Sequence, residues 1–253
     1  MEKIKYLLVF LLFCTVSFAD TKKVYFYTTE TNINNFKSLK INFDQYLSSF
    51  GDYNFQAFNK KETFEKYLKE EDIIVILSSW HYKQISKQYN IKAKLVALKK
   101  ESITDTKVLI GKKGAKYKGT LTTAFSSKYT KDLVSKFLPQ NNFELLNVPK
   151  EIDALMSVGF GLSEFAFVSK DSFKVLQKAN SFLASKMEVY KESIPTFRMV
   201  VASKLKEKYN KKIIDIFTSM NTNTNGQKIL SMLRVDDMVI LTKNNMKQLG
   251  GTK

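Results

Sequence analysis

The run Asp72-Ile-Ile-Val-Ile-Leu77 constrains the chain more than any other stretch. Its continuous apolar, mostly β-branched side chains leave no polar face, so as a strand it must be covered on both sides. Strands of that kind belong to parallel sheets, whose neighbours are joined by crossover connections that are usually helical. The preceding sequence supplies those connections. Lys23-Val-Tyr-Phe-Tyr-Thr-Thr29 reads as a first strand, and Phe36, Leu39, Phe43, Tyr46, Leu47 and Phe50 recur at helical spacing from about Asn35 to Gly51. Tyr53 to Phe58 alternates as a second strand, and Lys60 to Glu71 carries Phe64, Tyr67 and Leu68 as a second helix. Strand, helix, strand, helix, strand is the order of βαβ units in an open, doubly wound α/β sheet. Ligands in such sheets lie beyond the carboxyl ends of strands. Thr28 and Thr29, followed by Glu30, are therefore candidate ligand residues, as are Ser78, Ser79 and Trp80 at the abrupt end of the apolar run.

The second half repeats the pattern in kind. Lys94 to Leu98 and Lys107 to Ile110 read as strands, and Thr120 to Phe125 alternates before the period changes to helical at Leu133, Val134, Phe137 and Leu138. Between them sit Ser126 and Ser127, at the start of a helix whose first N–H groups lack intrahelical partners and whose dipole end is positive. Those hydroxyls either cap the helix or, with the free N–H groups, hold an anionic or strongly polar ligand. Lys128 and Tyr129 could add a charge and a stacking face. Phe143 to Val148 is a strand, and after Pro149 a helix turns Ile152, Leu155 and Met156 inward and ends at Gly159. Phe165 to Val168 is a strand and Ser172 to Ala184 a helix. Val108–Ile110 and Phe197–Ala202 read as paired extended crossings between two lobes, residues 20–107 with 200–253 and an inserted 108–199. Two tail helices, one with Ile213, Ile214, Phe217 and Met220 and one with Ile229, Leu230 and Leu233, are separated by Asn221 to Gly226.

The amino terminus sets an expectation for compartment. Lysines at positions 3 and 5, the apolar run Leu7 to Phe13 and small residues before Ala19 form a secretory signal peptide over 1–19, cut before Asp20. Bulky Phe13 argues against lipid attachment at Cys14, the only cysteine, so the mature chain would have no disulfide, thiol nucleophile or cysteine-held metal. The net charge of +17 comes from lysines spread along the chain without a block, which reads as a solvated surface and not as a nucleic-acid site. His81 is the only histidine. It makes neither a metal site nor a triad, and it reads as a surface or cap residue. Arg198, on a crossing, could clamp a carboxylate or phosphonate bidentately or pair with a protein carboxylate. Neither a Gly-x-Ser-x-Gly elbow nor a His-Glu-x-x-His helix occurs.

On these residues the chain resembles the substrate-binding proteins of ABC importers in their two-lobed type II form, most of all the phosphate/phosphonate/phosphite-type subfamily. Asp72 to Trp80 resembles that family's third strand. Tyr117-Lys-Gly119, with the strand, Ser126-Ser127 and helix after it, resembles its second-lobe signature. Ile152 to Gly159 leading to Phe165–Val168 is similar to its helix–Gly–strand step. Ile194-Pro-Thr-Phe-Arg-Met-Val-Val-Ala202 and Asn225-Gly-Gln-Lys-Ile-Leu-Ser-Met-Leu233 are similar to its crossing strand and the following helix. Two features depart: no histidine stands near Val148-Pro149, and Gly159-Phe-Gly-Leu-Ser163 displaces the usual acid, with Glu164 only nearby. The resemblance implies two doubly wound lobes joined by two crossings, and a periplasmic, monomeric protein that closes on a small polar or anionic solute. It also implies delivery to a membrane permease, with no cofactor, no metal and no chemistry on the ligand. From strand ends, the helix start and this resemblance together, the expected ligand residues are Thr28, Thr29, Ser78, Ser79, Trp80, Ser126, Ser127, Lys128, Tyr129 and Arg198. A ligand-binding partner of a sensor or chemoreceptor, and an exported hydrolase, are the rival readings.

Overall fold

In the computed structural model, which describes residues 21–28, 35–138 and 142–250, Ile73 to Leu77 are all fully buried near the middle of a six-stranded sheet. The first part of the chain contributes β1 (Lys22–Tyr27), α1 (Phe36–Leu47), β2 (Tyr53–Ala57), α2 (Lys61–Tyr67), β3 (Ile73–Leu77), α3 (Ser79–Ile85) and β4 (Lys92–Leu98). A short β5 (Thr104–Asp105) leads into β6 (Lys107–Lys112), β7 (Lys118–Thr123), α4 (Ser127–Phe137), β8 (Asn142–Asn147), α5 (Glu151–Phe160), β9 (Phe165–Ser169), α6 (Lys170–Ala179), α7 (Ser181–Ser185) and β10 (Met187–Glu192). After β11 (Thr196–Phe197) come β12 (Val200–Ser203), α8 (Asn210–Thr218), α9 (Thr224–Leu233), β13 (Asp237–Ile240) and α10 (Lys243–Gln248).

Two sheets result. The first has the order β13-β4-β12-β3-β1-β2, with β1, β2 and β3 parallel and β12 and β13 running against their neighbours. The second has the order β10-β6-β9-β7-β8, with β7, β8 and β9 parallel. Each is covered on both faces, as the apolar run requires. Val24, Phe26, Ile74 and Ile76 point into one cluster with α1, α8 and α9, while their alternates Tyr25, Tyr27, Ile73, Val75 and Leu77 join α2 and α3 on the other side. In the second sheet Val108, Ile110, Ala166 and Val168 meet α5, α6 and α7, and Leu109, Phe165 and Phe167 meet α4. The architecture is thus two doubly wound α/β lobes.

β5 and β11 pair antiparallel, Thr196 with Asp105 and Phe197 with Thr104, and link the lobes. This corrects the crossing expected at Val108–Ile110. Those residues are fully buried inside the second sheet, because β6 is held by β9 on one side and β10 on the other. Other boundaries also move. The helix expected over Ser172–Ala184 is two helices, broken where the Asn180 side chain accepts from the Leu183 N–H and caps α7. α5 runs past Gly159 to a left-handed cap at Gly161 (φ 81°), and Ile152, expected inward, is exposed. Gly226 lies inside α9 and not in a break, and glycine is required there because a Cβ would stand 2.3 Å from the Met220 carbonyl oxygen. β10, β13, α3 and α10 were not anticipated. The signal segment 1–19, Thr29 and Glu30 lie outside the described residues. Among the described residues no helix is long and apolar enough to cross a membrane.

Candidate functional site

Three strand ends are built alike. β3 and β9 finish just before and at a serine, β7 three residues before one, and each serine is extended (ψ 143–146°) and caps the following helix. Ser78 Oγ accepts from the His81 N–H at 3.3 Å, Ser126 Oγ from the Tyr129 N–H at 3.4 Å, and Ser169 Oγ from the Ser172 N–H at 3.2 Å. Each thereby satisfies one of the N–H groups that a helix start leaves over. Because β3 belongs to one sheet and β7 and β9 to the other, these helix starts converge on the space between lobes.

On one face α3 meets α4. Trp80 and Tyr129 pack edge to face with ring centroids 5.4 Å apart, and Tyr129 in turn stands edge-on to Phe125. Ser127 Oγ accepts from Asn147 Nδ2 at 2.9 Å, and Lys128 is exposed beside it. Ser79 is committed elsewhere, since its hydroxyl donates to the Phe197 carbonyl on the crossing. His81 corrects the expectation of a surface residue: it is fully buried, between Tyr27 and Phe64, with Nε2 2.8 Å from Glu65 Oε1. Burial pushes its pKa below the ordinary histidine value; Glu65 works the other way, and the charges of Lys61 and Lys128 reinforce the depression. Burial tends to raise the Glu65 pKa, but hydrogen bonds from His81 and Lys61 and their charges bring it below the usual carboxylate range. At neutral pH the pair is best described as a neutral imidazole donating to a carboxylate, with Lys61, 3.3 Å from Glu65, as its countercharge.

On the opposite face, beside the crossings, lies a cavity of about 100 Å³ lined from both lobes and both crossings. Thr28 reaches it from the end of β1, Lys99, Asp105 and Arg198 from the linking segments, and Ser169 and Asp171 from the start of α6. Arg198 donates from Nε to the Ser102 carbonyl at 3.1 Å and from Nη2 to Asp171 Oδ2 at 3.4 Å, and Nη1 stands 3.9 Å from Asp105. Lys107, buried at the root of β6, donates to Asp105 and lies 4.9 Å over the Phe125 ring. Burial alone would raise the Asp171 pKa, but Lys100, Arg198 and Lys99 hold it below the usual range.

The residues named from sequence thus fall into two groups. Ser78, Trp80, Ser126, Ser127, Lys128 and Tyr129 gather between α3 and α4, while Thr28 and Arg198 line the cavity at the crossings. Ser79 faces the crossing, and Thr29 lies outside the described residues. Sequence reasoning missed Lys107, Asp105, Ser169, Asp171 and Arg234. Ser169 had a signal, the same strand–serine–helix join as Ser126. A buried lysine at Lys107 had none, because lysine side chains are almost always solvated.

No family of known sequences matches the chain, and no curated relative does. Solved structures do. The binding-protein component of an ABC phosphonate transporter from Pseudomonas aeruginosa, PA3383, superposes with TM-score 0.63 at 14% identity, covering 91% of this chain and 86% of that one. XAC2383 from Xanthomonas citri, solved bound to ATP, gives TM-score 0.68 at 10% identity over 91% and 95% of the two chains. PhnD1 from Prochlorococcus marinus, in complex with methylphosphonate, gives 0.63 at 12% identity over 90% and 95%. The fold is shared with these two-lobed binding proteins across nearly their full lengths.

Proposed function

We propose that the protein is a periplasmic solute-binding protein that captures a small polar or anionic ligand between its lobes and hands it unaltered to an ABC importer. The observation that carries this reading is the meeting of the α4 start, with Ser126, Ser127 and Lys128, and Trp80 of α3 across a gap bridged by two short crossings. An exposed lysine beside a helix start favours an anion, and an indole supplies a flat apolar wall. The crossings act as a hinge between residues 20–107 with 200–253 and residues 108–199, so closure would exclude water from the ligand. Export would follow from residues 1–19 acting as a cleaved signal peptide. That two of the similar folds are a phosphonate-transporter component and a methylphosphonate complex makes phosphonates and phosphite the first solutes to try.

The test is a thermal-shift screen of the purified protein against methylphosphonate, phosphite, sulfonates, small carboxylates and polar metabolites. A ligand at a hundredfold excess over its Kd should stabilise the fold by about 2.7 kcal/mol. Ser127→Trp should abolish that shift and leave the ligand-free midpoint nearly unchanged. A shift that survives this substitution would remove the α4 start from the site.

A further inference from the structure

The end of the second sheet remote from the cleft gathers apolar and basic side chains. β7 and β9 direct their carboxyl ends, followed by or ending in Ser126 and Ser169, at the space between lobes, so their first residues, Lys118 and Phe165, mark the opposite pole. β6 ends there at Lys112, β10 begins there with Met187 paired to Lys112, and α5 is capped there at Gly161. The length of β9 puts this pole about 16 Å from the serine caps. Phe160, Leu162 and Phe182 stand on it, 66%, 73% and 71% exposed. They are three of the four most exposed large apolar side chains among the described residues. One such residue alone is ordinary, but three on one pole mark a surface that something else covers.

Packing draws them together. Leu183 lies so close to Gly159 that a Cβ there would stand 2.6 Å from it, which seats α7 and its Phe182 beside the end of α5. Lys112 reaches over Gly161, between Phe160 and Leu162 in the chain, with Nζ 2.7 Å from where a Cβ would be. The Lys186 ammonium lies 4.3 Å over the Phe182 ring, and the Lys186 carbonyl accepts from the Lys113 N–H at 3.2 Å. Lys112, Lys113, Lys116, Lys118 and Lys186 are exposed here, against the carboxylates of Glu164 and Glu188. Both acids are turned to backbone, Glu164 to the Thr120 N–H and Glu188 to the Gly114 N–H. The apolar side chains are thus flanked by an excess of positive charge.

We propose that this pole of the second lobe docks on an anionic lipid bilayer. Phe160, Leu162 and Phe182 enter the boundary between headgroups and acyl chains, and Lys112, Lys113 and Lys186 meet the lipid phosphates. Aromatic and leucine side chains bordered by lysines suit that boundary, because each class finds its own layer. A second copy of the chain would bring the same positive charge against this face and be repelled. Held by this pole, the protein stays at the membrane with its cleft clear of lipid.

Flotation of the purified protein, with residues 1–19 removed, on vesicles of phosphatidylglycerol and, separately, phosphatidylcholine tests this. The expected result is partition onto phosphatidylglycerol that falls with added salt, and little onto phosphatidylcholine. Phe160→Ser combined with Phe182→Ser should lower the partition about tenfold or more. Lys112→Gln and Lys186→Gln should each lower it about fivefold. All four side chains are exposed, so the melting midpoint should stay near that of the parent. A net charge of +17 draws any face towards anionic lipid, so a control removes equal charge elsewhere. Lys211→Gln combined with Lys228→Gln, both exposed on the first lobe, should leave the partition nearly unchanged. The proposal is overturned if the protein stays off phosphatidylglycerol vesicles, or if the pole variants partition no less than this control. A dimer in sedimentation equilibrium that Phe160→Ser with Phe182→Ser dissociates would also overturn it, and would assign the patch to a second copy.

Discussion

Trp80 and Tyr129 stand edge to face across the gap between the lobes, 5.4 Å between centroids with ring planes at 81°. One ring comes from the helix after β3 and the other from the helix after β7, so the pair exists only while the lobes are together. Contacts of this geometry are worth about 1 kcal/mol beyond the area they bury. Trp80 is the sole tryptophan, so fluorescence excited selectively in tryptophan reports the surroundings of this ring. A ligand that closes the lobes should change the Trp80 emission saturably, and Tyr129→Ala should change the ligand-free spectrum while reducing the ligand-induced change. A ligand that binds with no change in emission would mean that the pair does not move.

The two serines at the start of α4 should separate on mutation. Ser126 caps the helix, so Ser126→Ala should cost about 1 kcal/mol in a urea melt. Among the described residues the Ser127 hydroxyl meets the exposed Asn147 amide, so Ser127→Ala should change stability by about 0.5 kcal/mol or less. If a ligand is held at this helix start, its affinity should fall in both variants. Equal stability losses would contradict the assignment of Ser126 as the cap.

His81 should make the fold sensitive to acid. Its folded pKa is depressed, so the unfolded chain binds the proton more readily, and stability is fully present above the unfolded value of about 6.5. It is lost as pH falls from there towards the folded value. Glu65, also depressed, adds to the loss at lower pH, as pH falls below the unfolded carboxylate value towards its own folded one. The melting midpoint should therefore drop between pH 7.5 and 5.5, and His81→Gln should flatten that segment. An identical slope in the variant would show that the buried imidazole does not titrate there.

Asp171 ties α6 of the second lobe to Arg198 and Lys100 near the crossings, with both Arg198 and Asp171 mostly buried. Asp171→Asn should lower stability by about 1 kcal/mol, and the deficit should shrink in high salt, which screens the wild-type pairs. A difference that grows with salt would contradict this.

Much of the fold was legible because its chemistry is local. Ile73 to Leu77 could be read as covered on both faces from composition alone, and the strand–serine–helix joins at Ser78 and Ser126 follow from capping rules. β10 escaped because Met187-Glu-Val-Tyr-Lys-Glu192 is an edge strand with most of its side chains in solvent, and charge at an edge masks strand character. The crossing was misplaced by a few residues, since the paired segments of β5 and β11 are two residues each and carry no period. At the site, His81 was out of reach because of where its partner lies. A polar side chain is buried only if a partner waits for it, and the partner of His81, Glu65, stands 16 residues away on another element. Arg234 escaped because nothing in sequence says that a helix will end on a left-handed arginine.

The central claim is that the lobes close over a small ligand, and small-angle X-ray scattering of the purified protein tests it most directly. The curve would be recorded with and without the solute that raises the melting midpoint most. The account predicts a saturable fall in radius of gyration on adding that solute, absent in Ser127→Trp. A solute that stabilises the protein while leaving the scattering curve unchanged would contradict closure.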